Sequence, residues 1–584
     1  MKKAKTLPWD FMQEFKGEGK LFNSEWPTLP ELFTMTVKRF PNNNAFTDFE
    51  GPDSSKRTFT WAQVNDKVQT LANWMIEQGV KKGDRVALTG KNSPEWAVTF
   101  LAALSASAIV VPLAWGLSNK EMENLLNTAK PVLFFVDEEK YDHFTENTCG
   151  AKIYSLSPKH QDTFVDNLKA KKEVKPNPKC EMEDTAAMLF TSGTTGNPKG
   201  VMLSHKNLTS DALIAQTRFT VLPTDIFYAL LPLNHGYTMQ AAFICPMSQG
   251  AEIVFGKSMV TKFLMRDLRE GQISVMLGVP LLYNKLLAGI NKGIKAKGPL
   301  VSGLMKFLMG LSYFCIKVFH KNPGHTLFKA VLKQANIYTL RTAICGGGPL
   351  SPKVFKAYNA AGIVFIQGYG LTETSPIIAL NPVEHFKIES VGQSFFPYED
   401  MKILNPDADG VGEIIVKGPM VMQGYYNMPE ETKAVFTEDG YFKTGDIGYL
   451  DKENYLMLCG RAKNIIVTSG GKNVYPEEIE DSFQMFDDFA QISVVGFTSP
   501  EDPTAERIEA IVYPSDDVYK RLSVSRESAW NDPKVVKCIE EQVQTVNKNL
   551  PHYAKIEKVT IIPEKMEMTA TLKVKRDYSK KVKK

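Results

Sequence analysis

Short runs of aliphatic and β-branched residues alternate along this chain with longer stretches of helical spacing. Val86-Ala87-Leu88-Thr89 precedes an amphipathic stretch from Pro94 to Ala106, and Val132-Leu133-Phe134-Phe135-Val136 stops at Asp137. Glu252-Ile253-Val254-Phe255 stops at Gly256, and Ile273-Ser274-Val275-Met276-Leu277 stops at Gly278. Apolar strands separated by helices predict α/β layering with buried, largely parallel strands. In such folds ligands gather at the carboxyl ends of the strands. Further on, Tyr449 to Leu458 reads as a hairpin turning on Lys452-Glu453-Asn454. The pattern changes near Gly460. Asn464-Ile465-Ile466-Val467 and Gly470-Gly471 are followed by Pro476-Glu477-Glu478, a helix start with proline in its first turn and glutamates at the positive end of the dipole.

A length of 584 residues exceeds the ~100–200 expected of one domain. The expected division is a large N-terminal domain over 1–460, a hinge at 461–463 and a small α+β domain over 464–584. The first contains an apolar insertion at about 296–335. With 43% hydrophobic and 23% charged residues the composition is that of a globular protein. A net charge of +4 gives no argument for nucleic-acid binding. Seven scattered cysteines with no C-x-x-C pair read as reduced thiols, which places the chain in the cytoplasm. The basic N-terminus lacks the apolar stretch of a signal peptide. The most hydrophobic run, Val301 to Phe319, is interrupted by Lys306 and Lys317 and makes a poor spanning helix.

The densest chemistry lies in Thr191-Ser192-Gly193-Thr194-Thr195-Gly196-Asn197-Pro198-Lys199-Gly200. Glycines permit close backbone approach, while hydroxyls and a lysine suit anionic oxygens. The apolar runs Ala186 to Phe190 and Val201 to Leu203 flank it, so it reads as a phosphate-gripping loop at a strand end. The nucleotide P-loop is excluded, because Lys199 stands three places after Gly196 and no helix signature follows. A flexible Ser/Thr/Gly loop is the plain alternative.

Five other segments carry chemistry, the first of them accompanied by a glycine run upstream. Gln367-Gly368-Tyr369-Gly370-Leu371-Thr372-Glu373 lacks the third glycine of a dinucleotide fingerprint and by itself reads as a strand-end turn. Upstream, Gly346-Gly347-Gly348 follows a strand-like Thr342 to Cys345 and suits close approach to a flat base, or a bare turn. Asp446, in Tyr441-Phe442-Lys443-Thr444-Gly445-Asp446, reads alone as a turn residue. Gly460-Arg461-Ala462-Lys463-Asn464 marks the change of pattern, and Met568 to Arg576 begins a basic tail. His235, in Leu231-Pro232-Leu233-Asn234-His235-Gly236-Tyr237, reads alone as a structural histidine, and no Ser-His-Asp arrangement can be defended from spacing.

Taken in their order along the chain, the segments resemble those of the adenylate-forming enzymes: acyl-CoA synthetases, luciferases and nonribosomal adenylation domains. The resemblance implies ATP, Mg²⁺ and coenzyme A. Thr191, Ser192, Gly193, Thr194, Thr195 and Gly196 would hold the β- and γ-phosphates, with Lys199 neutralising the departing pyrophosphate. Gly346, Gly347, Gly348, Gln367, Gly368, Tyr369 and Gly370 would frame the adenine, with Tyr369 stacked on it. Thr372 would bond the α-phosphate, Glu373 would hold the metal, and Asp446 and Arg461 would take the ribose. His235 would line the acyl pocket, Lys463 would be the interdomain pivot, and Lys573 would be the catalytic lysine, with Lys575 its rival in register.

Two departures accompany the resemblance. Asn464 stands where the family usually has an acid, and Leu572 stands where it usually has glycine. The Thr-x-Thr-x-Lys form is similar to the long-chain acyl-CoA synthetases. The lysine-bearing apolar insertion is also similar to theirs, and is expected either to touch the inner face of a membrane or to pack as a helical hairpin on the body. The implied activity is ATP-dependent ligation of a long-chain fatty acid to coenzyme A. The alternatives are transfer to acyl carrier protein, or a non-catalytic acyl- or nucleotide-binding protein on the same fold.

Overall fold

Eight strands form the largest sheet in the computed structural model, which describes residues 7–50, 55–146, 149–191, 198–348, 350–468, 472–484, 486–499, 502–527, 529–568, 574 and 576. From one edge the order is Ile377–Leu380, Val364–Gly370, Thr342–Cys345, Val275–Gly278, Ile226–Ala229, Glu252–Phe255, Asn44–Glu50 and Ser55–Thr60. The six inner strands are parallel and both edge strands run against them. A second sheet of seven runs Gly424–Tyr425, Lys199–Ser204, Thr185–Thr191, Ile109–Leu113, Arg85–Thr89, Leu133–Val136 and Lys152–Ser155, parallel from Thr185–Thr191 onward. The expected α/β layering is therefore present. Short strands of uninterrupted Val, Ile, Leu and Phe are what a sheet covered on both faces requires.

The helix Pro94–Ser105 starts where Ser93 accepts the Trp96 N–H at 3.1 Å, with proline in the first turn. It lies between the two large sheets and is buried from Pro94 to Leu104, so it is not the amphipathic helix expected from its sequence. Trp96 stacks on Phe100 and both meet the ring of Phe243. Its buried Glu95 is neutralised by Arg57, which also holds the fully buried Asp48 at 2.9 Å. Unpaired, either carboxylate would be costly there.

One architectural feature lies beyond what the sequence pattern predicts. A four-stranded antiparallel sheet orders Asp400–Leu404, Gly412–Lys417, Phe442–Leu450 and Leu456–Arg461. Its last hairpin is the expected one, turning through Asp451 to Tyr455. After it, Ala462–Asn464 form one 3-10 turn and only Ile466–Val467 remain extended. The smaller C-terminal domain has its own buried cluster, from Ile466 to Ile556, around the strands Phe489–Ser499, Asp502–Pro514 and Lys558–Ile561.

Candidate functional site

Because the inner strands of the eight-stranded sheet are parallel, Ala229, Gly278, Cys345 and Gly370 all finish at one edge. The chain leaving Ala229 is fixed by Asn92, whose amide donates to the carbonyls of Ala229 at 2.8 Å and Leu231 at 2.9 Å and whose oxygen accepts from Leu233 N–H at 3.0 Å. This places His235 at the start of the helix Gly236–Met239. His235 Nε2 is buried and has no hydrogen-bond partner among the described residues. Burial depresses its pKa, favouring the neutral ring. Two residues on, the Tyr237 hydroxyl reaches the carbonyls of Ile344 at 3.1 Å and Gly278 at 3.3 Å. Its ring occupies the space beside Gly346, where a Cβ would lie 3.0 Å from ring carbons. The glycine at 346 is thus accounted for by a protein side chain.

The strand Val364–Gly370 delivers Gln367, Gly368, Tyr369 and Gly370 to the same edge, and Thr372–Thr374 follow as one 3-10 turn. Gly370 admits no side chain, since a Cβ would sit 1.8 Å from the Pro376 carbonyl oxygen. The Tyr369 hydroxyl donates to Asp446 Oδ2 at 2.7 Å, and Arg461 Nε lies 2.7 Å from Asp446 Oδ1. Burial, followed by the facing carboxylate, raises the Tyr369 pKa far above the phenol range, so the hydroxyl remains a donor. Asp446 and Arg461 are register partners across the hairpin. Sequence position alone separates them by the whole turn.

A second constellation joins the proposed phosphate side. Thr185–Thr191 and Lys199–Ser204 form an antiparallel pair in which Thr191 faces Lys199. A strand therefore follows the loop, where a P-loop has a helix. Lys199 Nζ sits 4.6 Å from the centroid of Tyr425, and the Tyr425 hydroxyl donates to Glu373 Oε1 at 3.0 Å. Met422 N–H adds a 2.8 Å bond to the Glu373 carbonyl. Tyr425 was not among the residues singled out in the sequence. It lies on the two-residue strand Gly424–Tyr425, and only its pairing with Val201 brings it to the site. Asn92 was missed for the same reason: its partners lie 137 to 141 positions away.

At the end of the hairpin, Asn464 Nδ2 donates to Glu477 Oε1 at 2.6 Å. Arg576 reaches Glu477 at 3.3 Å, Glu480 at 2.7 Å and the Val494 carbonyl at 2.7 Å. Ser192, Gly193, Thr194, Thr195, Gly196, Gly470, Gly471, Lys573 and Lys575 lie outside the described residues. Among the described residues no group of three His, Cys, Asp or Glu is arranged to hold a metal, which leaves Glu373 as a single carboxylate. That donor set suits Mg²⁺, which is commonly bound through one or two carboxylates plus phosphate oxygens.

The sequence profile described as AMP-binding enzyme matches residues 33–426. Among curated proteins, the chain is 27% identical over 598 residues to a chloroplastic long-chain-fatty-acid–[acyl-carrier-protein] ligase of Arabidopsis thaliana, covering 88% of this chain and 80% of that one. It is 28% identical over 558 residues to a long-chain-fatty-acid–CoA ligase of Mycobacterium bovis, covering 88% and 89%. A feruloyl-CoA synthase of Amycolatopsis is 26% identical over 490 residues, covering 81% and 86%. Among solved structures, ATP-bound MatB from Rhodopseudomonas palustris superposes with a TM-score of 0.73 at 24% identity, covering 95% of this chain and 99% of that one. The o-succinylbenzoate CoA synthetase of Bacillus subtilis with its acyl-adenylate gives 0.73 at 22%, covering 94% and 97%. Both structures share the large N-terminal and smaller C-terminal domains, and the profile covers more than half of the sequence: the chain belongs to the family of AMP-binding, adenylate-forming enzymes.

Proposed function

We propose that this enzyme joins a long-chain fatty acid to coenzyme A through an acyl-adenylate. The observation that carries the reading is the Tyr369–Asp446–Arg461 cluster beside the Lys199–Tyr425–Glu373 cluster. A carboxylate flanked by donors suits vicinal hydroxyls, and an ammonium and a carboxylate held on either part of one tyrosine suit a metal-bound polyphosphate. In the first half-reaction a fatty-acid carboxylate oxygen attacks the α-phosphorus of ATP, and pyrophosphate leaves. Asp446 and Arg461 hold the ribose and Thr372 the α-phosphate. Lys199, together with Thr191 and the loop residues Ser192 to Gly196, holds the departing phosphates. Lys573 bridges the carboxylate and the α-phosphate. Glu373 would hold Mg²⁺, which when bound supplies neutralising charge to the phosphates. In the second half-reaction the thiol sulfur attacks the acyl carbonyl and AMP leaves. The C-terminal domain turns about Lys463 between the two halves, exchanging Lys573 for a thiol path beside Gly470-Gly471.

The neutral, unpartnered His235 Nε2 supports an acyl-pocket role in binding, with no proton transfer assigned to it. Long-chain specificity draws support from the fatty-acid ligases among the relatives, although those relatives also include an aryl-acid enzyme. ATP–pyrophosphate exchange across aliphatic acids from acetate to oleate and with aromatic acids such as ferulate, followed by transfer from the preferred acid to coenzyme A or to acyl carrier protein, tests the reading. Exchange confined to aromatic acids overturns the substrate, and carrier protein as the sole acceptor overturns the thiol. No exchange with any acid would favour the non-catalytic alternative.

A further inference from the structure

The helix Pro299–Phe319 presents Leu300, Leu304, Phe307, Leu311, Phe314 and Val318 to the outside, with exposures from 44% to 88%. The spacing of four, three, four, three and four residues keeps all six on one face of an α-helix. The opposite face packs on the body through Met305, Leu308, Met309 and the buried Ser312, against the helices Pro280–Lys295 and Pro352–Ala360. Soluble surfaces rarely leave such a stripe uncovered.

Charge around the stripe identifies what covers it. Residues 271–372 contain twelve lysines and arginines and no aspartate or glutamate, in a chain whose net charge is only +4. Lys292, Lys295 and Lys297 precede the helix, Lys306 and Lys317 lie along one side of its stripe, and Lys321, Lys329 and Lys333 follow. An apolar stripe edged by lysines matches the boundary between acyl chains and anionic headgroups. A second copy of this chain would set basic surface against basic surface. By length and composition the helix could cross a membrane. It cannot do so in this fold, because the strands before and after it, Val275–Gly278 and Thr342–Cys345, pair side by side in one sheet. A crossing would carry one of them to the far side.

We propose that this face docks on an anionic membrane leaflet with the helix lying in the plane of the surface. Given the fatty-acid reading above, the docked helix sits over the route by which the substrate arrives. The supporting helix Pro280–Lys295 begins two residues beyond Gly278, whose carbonyl is reached by the Tyr237 hydroxyl, and ends at the lysines beside the stripe.

Flotation of the full chain with phosphatidylcholine vesicles, and with vesicles in which a third of the lipid is phosphatidylglycerol, tests docking without using activity. The full chain floats with the anionic vesicles and is released by molar salt. A Leu304→Glu, Phe307→Glu, Phe314→Glu variant, altered only at exposed positions, stays unbound. A Lys292→Gln, Lys295→Gln, Lys297→Gln variant binds at least fivefold more weakly. Both variants retain wild-type ATP–pyrophosphate exchange with a soluble short acid, and the glutamate variant loses at least tenfold in oleate turnover from vesicles. Absence of wild-type binding to anionic vesicles, or undiminished binding of the glutamate variant, overturns the proposal. So does a lipid-free dimer that the glutamate substitutions dissolve. Loss of oleate activity by a variant that still floats like wild type refutes the membrane route while leaving the catalytic reading intact.

Discussion

Arg461 stands directly across the hairpin from Asp446, its Nε 2.7 Å from Oδ1, while the other carboxylate oxygen accepts the Tyr369 hydroxyl. The carboxylate is therefore oriented before any nucleotide arrives. Removing the Tyr369 hydroxyl in Tyr369→Phe keeps the ring and is expected to cost about 1 kcal/mol, or about fivefold in kcat/KM for ATP. Asp446→Ala is expected to lose about 2 kcal/mol or more. The two measured together in ATP–pyrophosphate exchange should be less than additive, because the first acts through the second. Full additivity would disprove that coupling.

Tyr425 touches Lys199 with its ring and Glu373 with its hydroxyl. The two contacts can be separated. Tyr425→Phe retains the cation–ring contact and is expected to slow adenylation less than about fivefold. Tyr425→Leu loses both contacts and is expected to add a further loss corresponding to about 0.5–1 kcal/mol. Thioester formation from supplied acyl-adenylate should be untouched in both variants, as it should in Lys199→Ala, since pyrophosphate has already left. A matching loss in the second half-reaction would remove Lys199 from the leaving-group role.

Arg576 pairs with Glu477 and Glu480, and Glu477 also receives the amide of Asn464 beside the proposed pivot. Met568 and Val574 pair across the segment that contains Lys573. Lys573→Ala is expected to abolish adenylate formation and spare thioester formation from supplied acyl-adenylate; if Lys575→Ala shows that selectivity instead, the register moves by two. Arg576→Met is expected to give the same selectivity in milder form, about tenfold in the first half-reaction. Asn464→Asp replaces the amide donor to Glu477 with a second carboxylate, and is expected to destabilise the C-terminal domain by about 1 kcal/mol in urea denaturation.

His205 is fully buried, its Nδ1 accepting the Leu29 N–H at 3.2 Å. Burial lowers its pKa to about 4; Asp184 opposes that shift and Lys82 reinforces it. The folded value lies below the unfolded one near 6.5, so the unfolded chain binds the proton first. Stability from this group is complete above pH 6.5 and is lost as pH falls toward 4, by about 3 kcal/mol. His205→Gln, which retains an acceptor for Leu29, should flatten that part of the pH profile of thermal unfolding. An unchanged slope would assign the acid sensitivity to other groups.

Some of this was legible from the sequence because it is local. Glycine after an apolar run marked the strand ends at 256 and 278, and Lys452-Glu453-Asn454 marked the hairpin that carries Asp446 and Arg461. The helix Pro94–Ser105 was misread as amphipathic although Glu95 and Thr99 are its only polar residues before Ser105. Its burial depends on Arg57, which reaches Glu95 from a distant strand. Tyr425 and Asn92 gave no local signal, since strand pairing and long-range hydrogen bonds bring them to the site.

The basic, apolar-striped excursion leaves the strand Val275–Gly278 and returns on Thr342–Cys345, its immediate neighbour in register. It is therefore a closed detour whose two ends already lie side by side. Such a detour can be lengthened, shortened or exchanged between relatives without rethreading the sheet. On the docking proposed above, attachment to a surface and chemistry are written in separable parts of the chain, and a ligase without this surface could acquire it by a single transplanted cassette.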